Sequence, residues 1–251
     1  MTTSIIKNNL LKLSKLLAGI LFCLLLWDLI ALKIDNSYFM PGVKETFSAL
    51  SILIKSNGFW KYVSISLLRV AVGLMLGIIF GTIFATVCHI LPLSEVFISP
   101  LITIMKTTPI ATIILILWFT LSNAELAIFV VFLIVTPVVW QNVYDGYRSI
   151  SGDMKEVCEV FEISGWKRFR ILVLPAITKY LVPAVITSIG LAWKAEVAAE
   201  IMTYSNMGQS INDFKTLHYD TASVFAWAVV IVTLSIILEA LVKALLRRIK
   251  I

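Results

Sequence analysis

The sequence predicts an all-α membrane protein that crosses the bilayer six times, as a single transmembrane domain over residues 1–251. Three observations predict it. Of 251 residues, 59% are apolar and 14% charged, whereas soluble globular chains run about 45–50% apolar and about 25% charged. Apolar runs of about 20 residues, the length that crosses hydrocarbon as a helix, recur along the chain. The basic residues, which give a net charge of +6, sit at the ends of these runs and do not form the aromatic-interleaved stripe of a nucleic-acid site.

The predicted spans fall at about 13–33, 64–91, 98–120, 124–143, 174–202 and 223–246. Lys7, Lys12 and Lys15 precede the first apolar run, Leu16 to Leu32. That run is long for a signal-peptide core and lacks a small-residue cleavage site, so it reads as an uncleaved first span. In the second span Gly73, Gly77 and Gly81 share one helical face. A smooth face of this kind admits a close helix neighbour, by packing inside the bundle or by dimerisation. The long loops 34–62, 144–173 and 203–222 have neither the Pro/Gly/Ser bias nor the charge block of an interdomain linker.

Lys and Arg counts set the orientation. With the N-terminus inside, the inner segments carry twelve (Lys7, Lys12 and Lys15, five in the 144–173 loop, then Lys243, Arg247, Arg248 and Lys250) and the outer loops five. Both termini and the 144–173 loop are therefore expected in the cytoplasm. Cys23, Cys88 and Cys158 lack metal-like spacing and read as free thiols. No Gly-Lys pair occurs, so a phosphate-cradling loop is missing and ATP is not bound by that route. His89 and His218 do not form a zinc helix, and no Gly-x-Ser-x-Gly elbow exists. Catalytic, cofactor-binding and metal sites are thus not expected in this chain.

The informative polar stretch is Ser151 to Pro175. Asp153 is a candidate helix N-cap, with Glu156 in the first turn, and Val157, Val160 and Phe161 form an apolar stripe on a helix outside the membrane. Such a stripe needs something to dock against, either a partner protein or the membrane surface. Glu156-Val157-Cys158 is followed six residues past Glu156 by Glu162, and thirteen further on by Pro175, preceded by Leu174 and, at Leu172, a second aliphatic residue.

This spacing resembles the Glu-Ala-Ala loop of the permease subunits of binding-protein-dependent ABC importers. In that family a Gly stands where this chain has Glu162, at the turn between two short helices, and Gly165 is the nearby residue able to take over the bend. The resemblance extends over nearly the whole chain, towards the nitrate/sulfonate/taurine branch. It is carried by Trp27-Asp-Leu, Met40-Pro-Gly-Val-Lys-Glu45, Ser66-Leu-Leu-Arg-Val-Ala-Val-Gly73, Lys106-Thr-Thr-Pro-Ile-Ala111 and Ala192-Trp to Ala198-Ala-Glu200. Of a Gly-Leu-Gly turn after the fifth span, this chain keeps Gly208.

The resemblance implies a type I importer permease fold in a bacterial cytoplasmic membrane. It also implies a homodimer of this chain, a cytoplasmic ABC ATPase dimer that binds ATP and Mg, an extracytoplasmic solute-binding protein, and a coupling helix (Glu156, Val157, Cys158, Val160, Phe161, Glu162, Gly165) seated in the ATPase. Lys106, beside the helix-breaking Pro109, and Lys194, close to Glu196 and Glu200, are candidates for the translocation pathway, because a lysine at membrane depth normally faces a cavity or a partner. Two pathway lysines would favour an anion; an ion pair between Lys194 and Glu200, or snorkelling, is the structural alternative. Asp28 and Glu239, near span ends, read as packing or interfacial residues. Candidate solutes are sulfonates, nitrate or bicarbonate, aromatic carboxylates and neutral pyrimidines. A secondary transporter or channel without an ATPase is the competing class, and it would show internal repeats.

Overall fold

A computed structural model describes residues 2–248, with side chains described at 14, 15 and 18–245. Eleven α-helices follow one another, with no strand among the described residues: α1 (Thr2–Ile34), α2 (Val43–Leu53), α3 (Phe59–Ile90), α4 (Glu95–Thr107), α5 (Ile110–Leu117), α6 (Asn123–Arg148), α7 (Gly152–Val160), α8 (Gly165–Arg168), α9 (Leu174–Met202), α10 (Asn206–Thr216) and α11 (Thr221–Arg248). In hydrocarbon no water satisfies peptide groups, which makes helix the natural state of these apolar runs. Among the described residues, four stretches are long and apolar enough to cross a membrane: α3, α6, Gly165–Met202 and Thr221–Leu245. Taking α4 and α5 as one bent span makes five. The predicted first span lies within α1, part of whose side chains fall outside the described residues. So do the side chains of Lys7, Lys12, Arg247 and Arg248, and all of Lys250, on which the predicted orientation partly rests.

The predicted span 98–120 is not straight: the chain bends by 99° between α4 and α5. The cause is local. Pro109 disfavours the helical conformation at the residue before it, and Thr108 is extended there (φ −74°, ψ 125°). The hydroxyls beside the break bond back into α4, Thr107 Oγ1 donating to Thr103 O at 2.9 Å and Thr108 Oγ1 to Ile104 O at 2.7 Å, a carbonyl that also accepts the Thr108 N–H at 3.0 Å. A second irregularity precedes α9, where Phe169–Val173 is a π segment. Pro175 has no N–H for an α-type bond, and the N–H of Leu174 reaches back five residues to Phe169 O.

The chain forms two compact units. The smaller comprises residues 1–59 and 211–230. In it the Asp28 carboxylate accepts the N–H of Val43 at 3.1 Å, holding the start of α2, while Trp27 Nε1 donates to Pro41 O at 3.0 Å. Asp28 thus serves packing. Rings pair as Trp27–Phe225 and Phe59–Trp227, with centroids 5.7 and 5.2 Å apart.

The larger unit comprises residues 60–210 and 231–251. Its core joins α5, α6 and α9 through Ile114, Leu126, Ala127, Val130, Ala195 and Ala199. α6 opens with a capping box in which Ser122 and Glu125 satisfy each other's backbone N–H. The Gly73, Gly77 and Gly81 face meets α6 of the same chain. A Cβ built on Gly77 would lie 2.6 Å from the Val135 side chain, and one on Gly73 2.7 Å from Val131. The seam is packing inside the bundle, and glycine is required because the backbones are too close for a methyl group.

Gly77→Ala is therefore expected to lower the unfolding temperature in detergent, at a cost of about 1–3 kcal/mol for overpacking. Gly190, with open space around its Cα, is the control. Gly190→Ala is expected to be neutral or to stabilise, by up to about 1 kcal/mol, through helix propensity. Equal effects at the two sites would contradict this account of the seam.

Candidate functional site

The Ser151–Pro175 stretch forms two short helices joined by a tight turn. The N-cap of α7 is Ser151, whose Oγ accepts from Met154 N at 3.4 Å. Asp153 falls in the first turn and Glu156 in the second, the helix starting two residues earlier than the sequence suggested. On α7 only Cys158 is buried, while Val157, Val160 (78% exposed) and Phe161 (71%) stand out from the chain together with Met154 and Trp166. Isolated apolar residues on a surface are ordinary, but a cluster of this kind marks a contact.

The turn shows what Glu162 does. Ile163 N bonds Cys158 O at 2.7 Å and Glu162 N bonds Glu159 O at 3.0 Å, the two bonds of a Schellman helix end, whose left-handed C′ position is usually filled by Gly. Glu162 holds that position with φ +51°. The first bend thus stays at Glu162 and has not moved to Gly165. Gly165 also has positive φ (+56°) and starts α8, so it supplies a second bend beyond the first.

The second polar constellation lies inside the larger unit. The Glu200 carboxylate on α9 is fully buried and accepts from Ser66 Oγ at 2.8 Å, Arg69 at 3.0 Å and Asn206 Nδ2 at 2.7 Å. Its backbone carbonyl accepts the N–H of Ser205 at 3.1 Å, closing α9 with Tyr204 in the left-handed region (φ +50°). Asn206 is left-handed as well (φ +44°). A Cβ on Gly208 would stand 2.1 Å from the Glu200 carbonyl carbon, so Gly208 is where α10 crosses the end of α9 at backbone contact. The turn is also tied to α6, since Asn123 Nδ2 donates to Thr203 O at 3.2 Å. Glu196, one turn before Glu200, is buried too.

The lysines behave differently. Lys106 is exposed at the Pro109 break, donates to Gln141 Oε1 at 3.1 Å and lies 6.0 Å from the Trp140 ring centroid. Gln141 in turn donates to Asp145. Lys194 is exposed and has no ion pair among the described residues; the Lys194–Glu200 pair is not formed, because Arg69 holds Glu200. Glu239 pairs with Lys243 on an exposed face of α11. Sequence reasoning missed Arg69, Ser66 and Glu196. The available signal was an arginine inside an apolar span, which calls for a buried acid as strongly as a lysine does.

Lipid-length apolar helices that keep a buried ion pair, with a short apolar-faced helix outside them, define a polytopic helical membrane protein. The sequence profile of the family described as binding-protein-dependent transport system inner membrane component matches residues 73–251, more than half of the chain, and the chain belongs to that family. Among curated relatives, a Bacillus subtilis permease protein named for aliphatic sulfonates transport is 24% identical over 89% of this chain and 82% of its own length. The bicarbonate transport system permease protein of Synechococcus elongatus is 28% identical over 76% and 73%, and the taurine transport system permease protein of Escherichia coli 22% over 88% and 83%. A crystal structure of an amino acid ABC transporter with histidines has the same fold, with a TM-score of 0.58 at 14% identity over 81% of this chain and 94% of that one. The chain is accordingly a multi-pass inner-membrane permease component of the nitrate/sulfonate/taurine branch, and its family is a transport component, not itself catalytic.

The strained turn yields a measurable expectation. In Glu162→Gly the Ile163 amide is expected to exchange with solvent about fivefold more slowly, because a Cβ-bearing residue costs about 1 kcal/mol or more in the left-handed region. Unchanged exchange would mean that this turn stores no strain.

Proposed function

We propose that this chain acts as one six-span permease domain of an ATP-driven importer, working as a homodimer with a cytoplasmic ABC ATPase dimer and an extracytoplasmic solute-binding protein. α1 supplies the sixth span, and both termini and the Ser151–Pro175 loop face the cytoplasm. The observation that carries the reading is α7: a helix outside the apolar spans whose apolar residues Val157, Val160 and Phe161 are left uncovered beside a rigid Schellman turn. An apolar face held by a fixed turn is built to dock, and here it seats in the ATPase, with Glu156, Cys158, Glu162 and Gly165 shaping the helix and its exit. The π segment and Pro175 then pass movement of this loop into α9, the helix that carries Glu200.

The solute is a small anion, in keeping with relatives named for sulfonates, bicarbonate and taurine transport. Lys106 supports this: exposed at the break of a bent span, its ammonium has a neutral amide partner and, among the described residues, no carboxylate ion pair. Lys106, Pro109 and Lys194 line the pathway, and Glu200 shapes it from within the bundle. ATP and Mg belong to the partner ATPase.

Interface energy concentrates in a few buried anchors, with aromatic residues prominent among them. Phe161→Asp is therefore expected to insert and dimerise normally yet to lose ATPase co-purification and solute uptake together, since burying an unpaired charge costs several kcal/mol. The purified chain alone is expected to hydrolyse no ATP, and its complex with the ATPase to do so. Wild-type uptake by Phe161→Asp with the ATPase still bound would remove α7 from the coupling role.

A further inference from the structure

Glu196 is the one ionisable side chain, among the described residues, whose buried oxygens accept no hydrogen bond. It is fully buried on α9, four residues and so about 6 Å of helical rise before Glu200, on the same face. The groups acting on it are the Glu200 carboxylate, the Arg69 guanidinium and the Ser66 hydroxyl. One arginine thus stands before two carboxyl groups and is bonded to one of them. Buried polar groups without a partner are rare in native structures, and each calls for an explanation. A carboxyl that served packing alone would be replaced at lower cost by an apolar residue of similar volume.

We infer that Arg69 is a two-position latch: bound to Glu200 it fastens the 203–206 turn to α3, and transferred one turn along α9 to Glu196 it frees that turn during import. The inference rests on the permease reading for its use in transport. In the fastened position the guanidinium, Ser66 and Asn206 all converge on Glu200, and Arg69 also reaches Ser205 Oγ at 3.5 Å. The left-handed Tyr204 and Asn206 are held in place by these bonds, so losing them lets the turn open. Leaving a guanidinium that is only 12% exposed without any carboxylate is unfavourable. Arg69 therefore rests beside one acid or the other and not between them, which makes the pair bistable.

The test is a double-mutant cycle on the detergent-purified chain, followed by uptake with the full complex. Glu196→Gln keeps shape and is expected to leave the unfolding temperature near wild type. Glu200→Gln is expected to lower it modestly, because Arg69 passes to Glu196. The double variant is expected to fall by clearly more than the two single shifts together, since residues sharing a partner are non-additive. In the assembled importer Glu196→Gln is expected to slow uptake on the order of tenfold, one of the two positions having lost its charge partner, with Glu196→Asp recovering much of the rate. Additive shifts would show that Glu196 never receives Arg69. Wild-type uptake by Glu196→Gln would show that it is not used in the cycle, and either result overturns the latch. If instead the wild-type complex imports nothing, the permease reading fails, while the thermal cycle still reports whether the two acids share Arg69.

Discussion

In hydrocarbon, peptide N–H and C=O groups have no water to bond, so a spanning chain stays helical and leaves the helix only where something else satisfies its backbone. The places where this molecule departs from α-helix follow that constraint. At the Thr108–Pro109 break the Thr108 N–H still closes α4 onto Ile104 O, and the hydroxyls of Thr107 and Thr108 bond back to Thr103 O and Ile104 O. Before Pro175 the ladder shifts into π register. At the end of α9 the Ser205 N–H and the side chains of Ser66, Arg69 and Asn206 close around Glu200. Each departure adjoins a residue with a proposed part in transport.

The same economy governs charge. Arg69 and Glu200 are placed where a lone charge would be costly, and they face each other across α3 and α9. Lys106 and Lys194 are exposed on the chain, where a pathway or a lipid interface can receive them. An ion pair of this kind holds two helices in a defined relation and gives way only where the arginine meets another acid. That behaviour suits a transporter that must occupy distinct states without passing through an ill-defined intermediate.

Most of the fold was legible because bilayer thickness sets the length of an apolar run, and five of the predicted runs coincide with helices or a helix pair long enough to span. The bend in 98–120 was less legible: Pro109 marks a break, but its angle of 99° depends on how α5 packs, which spacing does not reveal. The Ser151–Pro175 loop was legible in its short helix and its apolar stripe. Its turn was not, because the expected signal was glycine and the left-handed position is filled by Glu162; Tyr204 does the same after α9. The Arg69–Glu200 pair joins residues 131 apart in sequence, and no periodicity announces a contact at that range. Lys194 sits nearer to Glu200 in sequence and drew the expectation away, whereas burial selects the arginine on a neighbouring helix.

Together these features describe a membrane unit whose Ser151–Pro175 loop is apolar-faced and connected through an irregular helical joint to the helix bearing the Glu200 end of its ion pair. The central claim is that the loop seats in an ATPase. The most direct measurement places a photo-crosslinking amino acid at position 161 of the chain in native membranes, irradiates and identifies the adduct by mass spectrometry. The account predicts an adduct to a cytoplasmic ABC ATPase; an adduct to lipid alone, or to an extracytoplasmic protein, would contradict it.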